Sequence, residues 1–117
     1  MQYNALVGLP ADYFRQEFAR MHACEKQYRD ASVAIALALR RTECNNVVDF
    51  APVAAKVRNL IRVKHLLTPA QTCAISRDLH RTQSAANGAY LLAGARVVGD
   101  LWMEWDTAVG CTALGKK

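Results

Sequence analysis

ASVAIALAL, Ala31 to Leu39, holds no charged residue in nine positions and mixes alanine with larger apolar side chains. Upstream, Phe14, Phe18, Met21, Tyr28, Ala31, Ile35 and Leu39 recur at three, four and seven, which is helical spacing. Leu9-Pro10-Ala11-Asp12 marks the start, with proline tolerated in a first turn and an acid at the positive end of the dipole. Glu25 and Arg29 form an i,i+4 pair. Arg40 and Arg41, followed by Asn45-Asn46, mark the end. The pattern predicts one helix of about 30 residues, buried on most sides over Ala31–Leu39. So long a helix in so short a chain calls for a partner to cover part of it.

Three further segments follow. Asp49 caps a second helix with Pro52 in its first turn, and Phe50, Val53, Val57, Leu60, Ile61 and Leu67 form its apolar face. Thr68-Pro69-Ala70-Gln71 is a capping box with proline at the first helical position, so a third helix starts there. Its inner face is Ile75, Leu79 and Thr82, and Asn87-Gly88 offers an end. Beyond Tyr90, Gly94, Gly99 and Gly110 interrupt an apolar stretch. It reads as a helix over Leu91–Val98 and a short one over Asp100–Val109, with a β-hairpin from ARVV to LWMEW as the alternative. The expectation is an all-α single domain over residues 1–117, with a long N-terminal helix and two to four shorter ones.

Composition bounds the class. The 117 residues carry a formal charge of +5 and are 52% hydrophobic, too apolar for intrinsic disorder. No apolar run approaches the roughly 18 residues of a membrane span. The N-terminal stretch has no basic residue before Arg15 and no apolar core of a secretory signal, so a cytoplasmic location is expected. Cys24, Cys44, Cys73 and Cys111 form no CxxC pair and read as reduced thiols, three of them buried.

Catalytic and metal motifs are weak. Ser76 and His80 share an i,i+4 face but have no strained nucleophile turn and no orienting acid. His22 with Cys24, or Cys73 with His80, offers two ligands where structural zinc usually takes four. No glycine-rich phosphate loop occurs. No enzyme, metal or cofactor is expected.

Charge is uneven. Residues 49–99 hold seven basic and two acidic residues, whereas residues 100–117 hold two and three. The basic middle permits a DNA-binding reading. Ile75 and Leu79, a turn at His80-Arg81-Thr82 and a second helix over Gln83–Leu92 would make a helix-turn-helix. Gln83, Ser84 and Asn87 would face the major groove, and Arg77 and Arg81 the phosphates. Arg58, Arg62 and Lys64 would extend the basic surface. The opening Leu67-Thr68-Pro69-Ala70-Gln71 resembles the start of this unit in MarR-type repressors. Three residues depart from the pattern: His80 where glycine is usual, Arg81 where an apolar residue is usual, and Gly88 inside the recognition helix.

DLWMEWD, Asp100–Asp106, is acidic and carries both tryptophans, so it permits a protein-binding reading. Trp102, Met103 and Trp105, with Glu104 for steering, are interface-type residues. They also suit a lid that closes the core over the basic helix, and the sequence leaves both open. Phe14 and Phe18, with Met21, Tyr28 and Ile35, suit the seam of a homodimer or the core. The chain length, the long first helix with Phe14 and Phe18, and Leu101-Trp102-Met103-Glu104-Trp105 together resemble the small antiactivators of LuxR-type quorum-sensing regulators, the QslA class. That resemblance implies a stoichiometric inhibitor that binds the regulator's ligand-binding domain and blocks its dimerisation or its contact with DNA.

Overall fold

The computed structural model describes residues 11–110. They form four α-helices: α1 (Ala11–Glu43), α2 (Ala51–Ile61), α3 (Pro69–Gly88) and α4 (Leu92–Val109), with a single 3-10 turn at Lys64–Leu66 between α2 and α3. The all-α expectation holds, and the long first helix is followed by three shorter ones.

α1 is 33 residues long, about 50 Å at 1.5 Å per residue. Its buried stripe is Cys24, Ala31, Ile35, Ala38 and Thr42, spaced at helical intervals. The alanines let α2 and α3 approach closely. Thr42 Oγ1 donates to the Ala38 carbonyl at 2.8 Å, which satisfies a buried hydroxyl. Asn45 closes the helix at φ 64°, and Asn46 N–H donates back to the Arg41 carbonyl at 3.0 Å. Asparagine is among the residues that accept this left-handed position.

ASVAIALAL is not buried on most sides. Val33 and Leu37 are exposed while Ala31, Ile35 and Ala38 are covered. α2 and α3 pack on one side of α1, so an uncharged run is amphipathic in position although not in composition. Tyr28 is half-buried against the core and Ile35 lies inside it. The expected dimer seam therefore loses these two of its five residues.

In α2, Asp49 accepts from Ala51 N–H at 3.1 Å, although Phe50 occupies the cap position itself. Val53, Ala54, Val57 and Leu60 face inward. In α3 the capping box forms as expected. Thr68 Oγ1 accepts from Gln71 N–H at 3.1 Å, and Gln71 Oε1 accepts from Thr68 N–H at 2.9 Å. The helix then runs unbroken to Gly88, so the turn expected at His80-Arg81-Thr82 does not exist.

α4 is one helix, which corrects both the two-helix reading and the β-hairpin. Its glycines are contact points rather than breaks. A Cβ at Gly94 would lie 3.0 Å from the Phe50 ring, and one at Gly99 would lie 2.5 Å from Gln83 Nε2. Helix interiors tolerate glycine at a cost of about 1 kcal/mol, here offset by close packing. The core gathers Ile35, Phe50, Val57, Leu60, Ile75, Leu79, Val98, Leu101 and Trp105. Trp105 is fully buried, and its indole N–H donates to the Thr72 carbonyl at 3.0 Å.

Truncating Trp105 to Ala is expected to cost about 3–5 kcal/mol, read as a drop in the denaturant midpoint. Thr68→Ala, which removes the N-cap, should cost about 1 kcal/mol on the same assay.

Candidate functional site

The acidic, aromatic segment is fastened down on two sides. Trp105 is core. Trp102 is half-buried, and its indole N–H donates to Ser76 Oγ at 2.9 Å. Ser76 in turn donates to Asp106 Oδ1 at 2.7 Å. The His80 ring lies on Trp102, centroids 4.7 Å apart and tilted 54°. On the other side of α4, Arg58 grips Glu104 with a fork: Nη2 to Oε1 at 3.0 Å and Nε to Oε2 at 3.0 Å. Lys64 Nζ donates to the Ala108 carbonyl at 2.6 Å, a cation at the negative end of α4. The segment thus lies across the basic helix. Of its expected partner-binding residues, Trp105 is unavailable and Trp102 and Glu104 are engaged. Met103 is left pointing outward and exposed.

This network also decides the Ser76–His80 pair. The Ser76 hydroxyl is fully buried, gives its proton to Asp106 and accepts from Trp102. His80 packs on the indole instead of receiving that proton. The cluster is a structural relay between α3 and α4. Among the described residues no group of three potential metal ligands converges.

The residues of the DNA-binding reading are scattered by the fold. Arg58 and Lys64 are committed to α4. Gln83 packs under Gly99 and cannot face a groove. Arg81 lies 3.9 Å from Asp78. Arg62, Arg77, Ser84 and Asn87 are exposed, but with α3 unbroken there is no separate recognition helix to present them. The thiols differ from expectation too. Cys24 is buried, Cys44 exposed and Cys73 half-buried, so three buried cysteines are not found, and Cys111 lies outside the described residues. Burial pushes the Cys24 thiol up, with Glu25 adding to it.

Among the described residues, besides Val33 and Leu37, two apolar surfaces are exposed. The first is the N-terminal half of α1. Phe14, Phe18 and Met21 share a face there, rotated by about 60–120° from the stripe buried from Cys24 onward, and Tyr13, Glu17 and Arg20 hold the positions in line with that stripe. Phe18 is 63% exposed, and Met21 and Tyr13 are exposed as well. Phe14 is half-exposed and meets the Tyr13 ring edge-on, centroids 5.4 Å apart. The helix outruns its neighbours: α2 and α3 span only about 16 and 30 Å, and the molecule is drawn out to 61 × 30 × 18 Å.

The second is a cleft of about 600 Å³ at the end of the bundle where α1 meets α2 and α3 meets α4. Val47, Val48, Phe50, Leu91, Leu92 and Val97 line it, with Arg58 and Asp49 at its margin. Tyr90, which precedes the lining residue Leu91 in the chain, is 84% exposed and held at φ 61°. The α3 terminus is a Schellman turn: Leu91 N–H donates to the Ala86 carbonyl at 2.9 Å and Tyr90 N–H to the Asn87 carbonyl at 3.0 Å. Glycine usually takes that left-handed position, and a side chain there costs about 1–2 kcal/mol. Sequence reasoning missed this cleft. The available signal was Val47-Val48 and Tyr90-Leu91-Leu92, apolar residues placed directly after the turn-forming Asn45-Asn46 and Asn87-Gly88.

No family model matches the chain, and neither a curated protein nor a solved structure matches it. The functional reading therefore rests on these surfaces.

The hydrogen bonds from Arg58 hold the Glu104 carboxyl below its ordinary value, against an opposing push from burial and with the Arg58 charge adding to the lowering. A depressed carboxyl stabilises the fold above the unfolded-state value, and that contribution is lost as pH falls through the folded one. Both side chains are largely exposed, so the pair is worth under about 1 kcal/mol. Glu104→Gln should remove a small part of the acid-side loss, making denaturant midpoints at pH 5 and pH 3 more alike than in the wild type. An unchanged difference would mean the pair contributes nothing.

Proposed function

We propose that the chain is a non-enzymatic, cytoplasmic regulatory protein that forms a homodimer and acts by sequestering a protein partner. A transcription regulator is the partner that the antiactivator resemblance implies. One observation carries the reading: the N-terminal half of α1 exposes Phe18 and Met21, with Phe14 half-exposed beside them. Exposed aromatic and methionine side chains on one helix face are the residue types that anchor protein interfaces.

A second copy is the occupant that fits this stretch. Asp12 and Glu17 balance Arg15 and Arg20 within it, and the pairs lie on the helix itself at 3.6 and 2.9 Å. Two copies of a chain carrying +5 can meet there without like-charge repulsion. Four partly exposed apolar side chains per copy, at roughly 1 kcal/mol each, give a total of the same order as the cost of association. The dimer is therefore weak and concentration-dependent.

Sedimentation over a wide concentration range should show monomer giving way to dimer. Phe14→Ser with Phe18→Ser should hold the protein monomeric with its helix content intact, and a wild type that stays monomeric throughout removes the seam. Sequestration is tested with the partner captured from cell extract. That partner should be a DNA-binding regulator whose retention on its operator falls as this chain is titrated to one per regulator. Salt-sensitive retention of the chain itself on heparin, with no effect on any regulator, would instead favour a nucleic-acid role.

A further inference from the structure

We propose that the outer groove between α1 and α2 binds an acidic amphipathic helix of the protein partner. This rests on the sequestration reading, names the chemistry of the partner, and places its contact apart from Phe14, Phe18 and Met21.

The apolar part of the site is a ridge on α1. Val33 and Leu37 stand one turn apart and are both about half exposed. With Ala34 they line a groove of about 430 Å³, which Arg29, Asp30 and Lys56 of α2 complete. A groove between helices suits an amphipathic helix, whose anchors recur at three, four and seven. Following the ridge at intervals of four puts Arg29 one turn before Val33 and Arg41 one turn after Leu37. Residues so spaced are neighbours along a helix surface. Two apolar positions therefore lie between two cations.

Charge selects the occupant. Among the described residues, Arg29, Arg40, Arg41 and Lys56 are exposed and form no ion pair. Asp30 also lines the groove, but it already accepts from Lys26 Nζ at 2.9 Å. That hydrogen bond lowers the Asp30 carboxyl from its ordinary value against a push from burial, and the charges of Lys26, Lys56 and Arg29 lower it further. Three cations thus act on one acid, and the groove keeps a positive surplus. A second copy would set like cations face to face. Residues 1–10 and 111–117 of the chain itself contain no acid and bring no complement. The occupant is therefore an acidic partner, and Val33 and Leu37 require apolar anchors between its acids. A nucleic-acid backbone supplies the charge without those anchors, and a lipid surface is flat where this site is recessed. The matching helix carries two leucines one turn apart, with a glutamate one turn outside each.

The probe is a fluorescein-labelled, alanine-rich helical peptide with that pattern, beside twins in which glutamine or lysine replaces both glutamates. Fluorescence anisotropy should show the glutamate peptide binding the full chain, less tightly as salt rises. The glutamine twin should bind about three- to tenfold more weakly, and the lysine twin more weakly still. Val33→Ser with Leu37→Ser, both at exposed positions, should weaken the glutamate peptide at least about fivefold with helix content intact. Arg29→Glu with Lys56→Glu should narrow the preference for glutamate over lysine at least about threefold, a shift in ratio that loss of fold would not produce. Phe14→Ser with Phe18→Ser should leave peptide binding unchanged. Equal binding of the three peptides to the wild type overturns the acidic occupant, and full binding by a folded Val33→Ser, Leu37→Ser variant overturns the groove. Failure of the glutamate peptide to bind overturns the proposal, and salt-sensitive binding of a DNA duplex or of phosphatidylserine vesicles in its place assigns the groove to that surface. A Val33→Ser, Leu37→Ser variant that loses the peptide but still captures its regulator overturns the groove as the partner's site and leaves sequestration standing. A chain that binds the peptide but captures no regulator supports the groove and overturns sequestration.

Discussion

The hydrogen bond from the Trp105 indole to the Thr72 carbonyl sits at the junction on which the rest of this bundle depends. A buried indole must find an acceptor or lose more than the bond is worth, and Thr72 offers one from the first turns of α3. That carbonyl is held in place by the Thr68–Gln71 capping box immediately before it. With Trp105 anchored, the register of α4 is set. Trp102 then falls beside Ser76, Asp106 reaches the same hydroxyl, and Glu104 emerges on the other flank, facing Arg58. Gly99 and Gly94 allow the approach, since a side chain at either would collide with Gln83 or Phe50.

The parts of this arrangement legible in the sequence are those governed by local chemistry. The capping box, the proline in the first turn of α2 and the spacing of Ile75, Leu79 and Thr82 depend on neighbours a few residues away. The parts misread depend on neighbours far along the chain. Gly94 and Gly99 resemble helix breaks until their contacts with Phe50 and Gln83 are known. Val33 and Leu37 resemble core residues until it is clear that α2 and α3 cover only one side of α1. The two tryptophans could not be sorted by spacing, because about 60° separates them on a helix and both fit one wide face.

Charge followed the same rule. A basic α2 and an acidic α4 look like separate binding surfaces in the sequence, one for nucleic acid and one for protein. In the fold they meet, and each removes part of the other's case: Arg58 and Lys64 are spent on α4, and Glu104 on α2. Besides exposed cations such as Arg62 and Arg77, the pairing leaves apolar residues exposed. Among the described residues, these exposed apolar surfaces lie where elements end or outrun their neighbours, on the N-terminal half of α1 and between the two connections at the end of the bundle. Segment-by-segment pattern reading is weakest at such places, because coverage depends on the length of the neighbouring elements and not on the residues themselves.

The overhanging half of α1 has a consequence for the speed and cost of recognition. An isolated helix of a dozen residues is marginal in water, because its first turn must be nucleated against entropy. Here the packed half, from Cys24 to Thr42, supplies that nucleus permanently, and the free turns only propagate from it. Their unfolding is local fraying rather than loss of the domain. A molecule landing on Phe14, Phe18 and Met21 meets a face already in helical register, so little ordering remains to be done at the moment of contact.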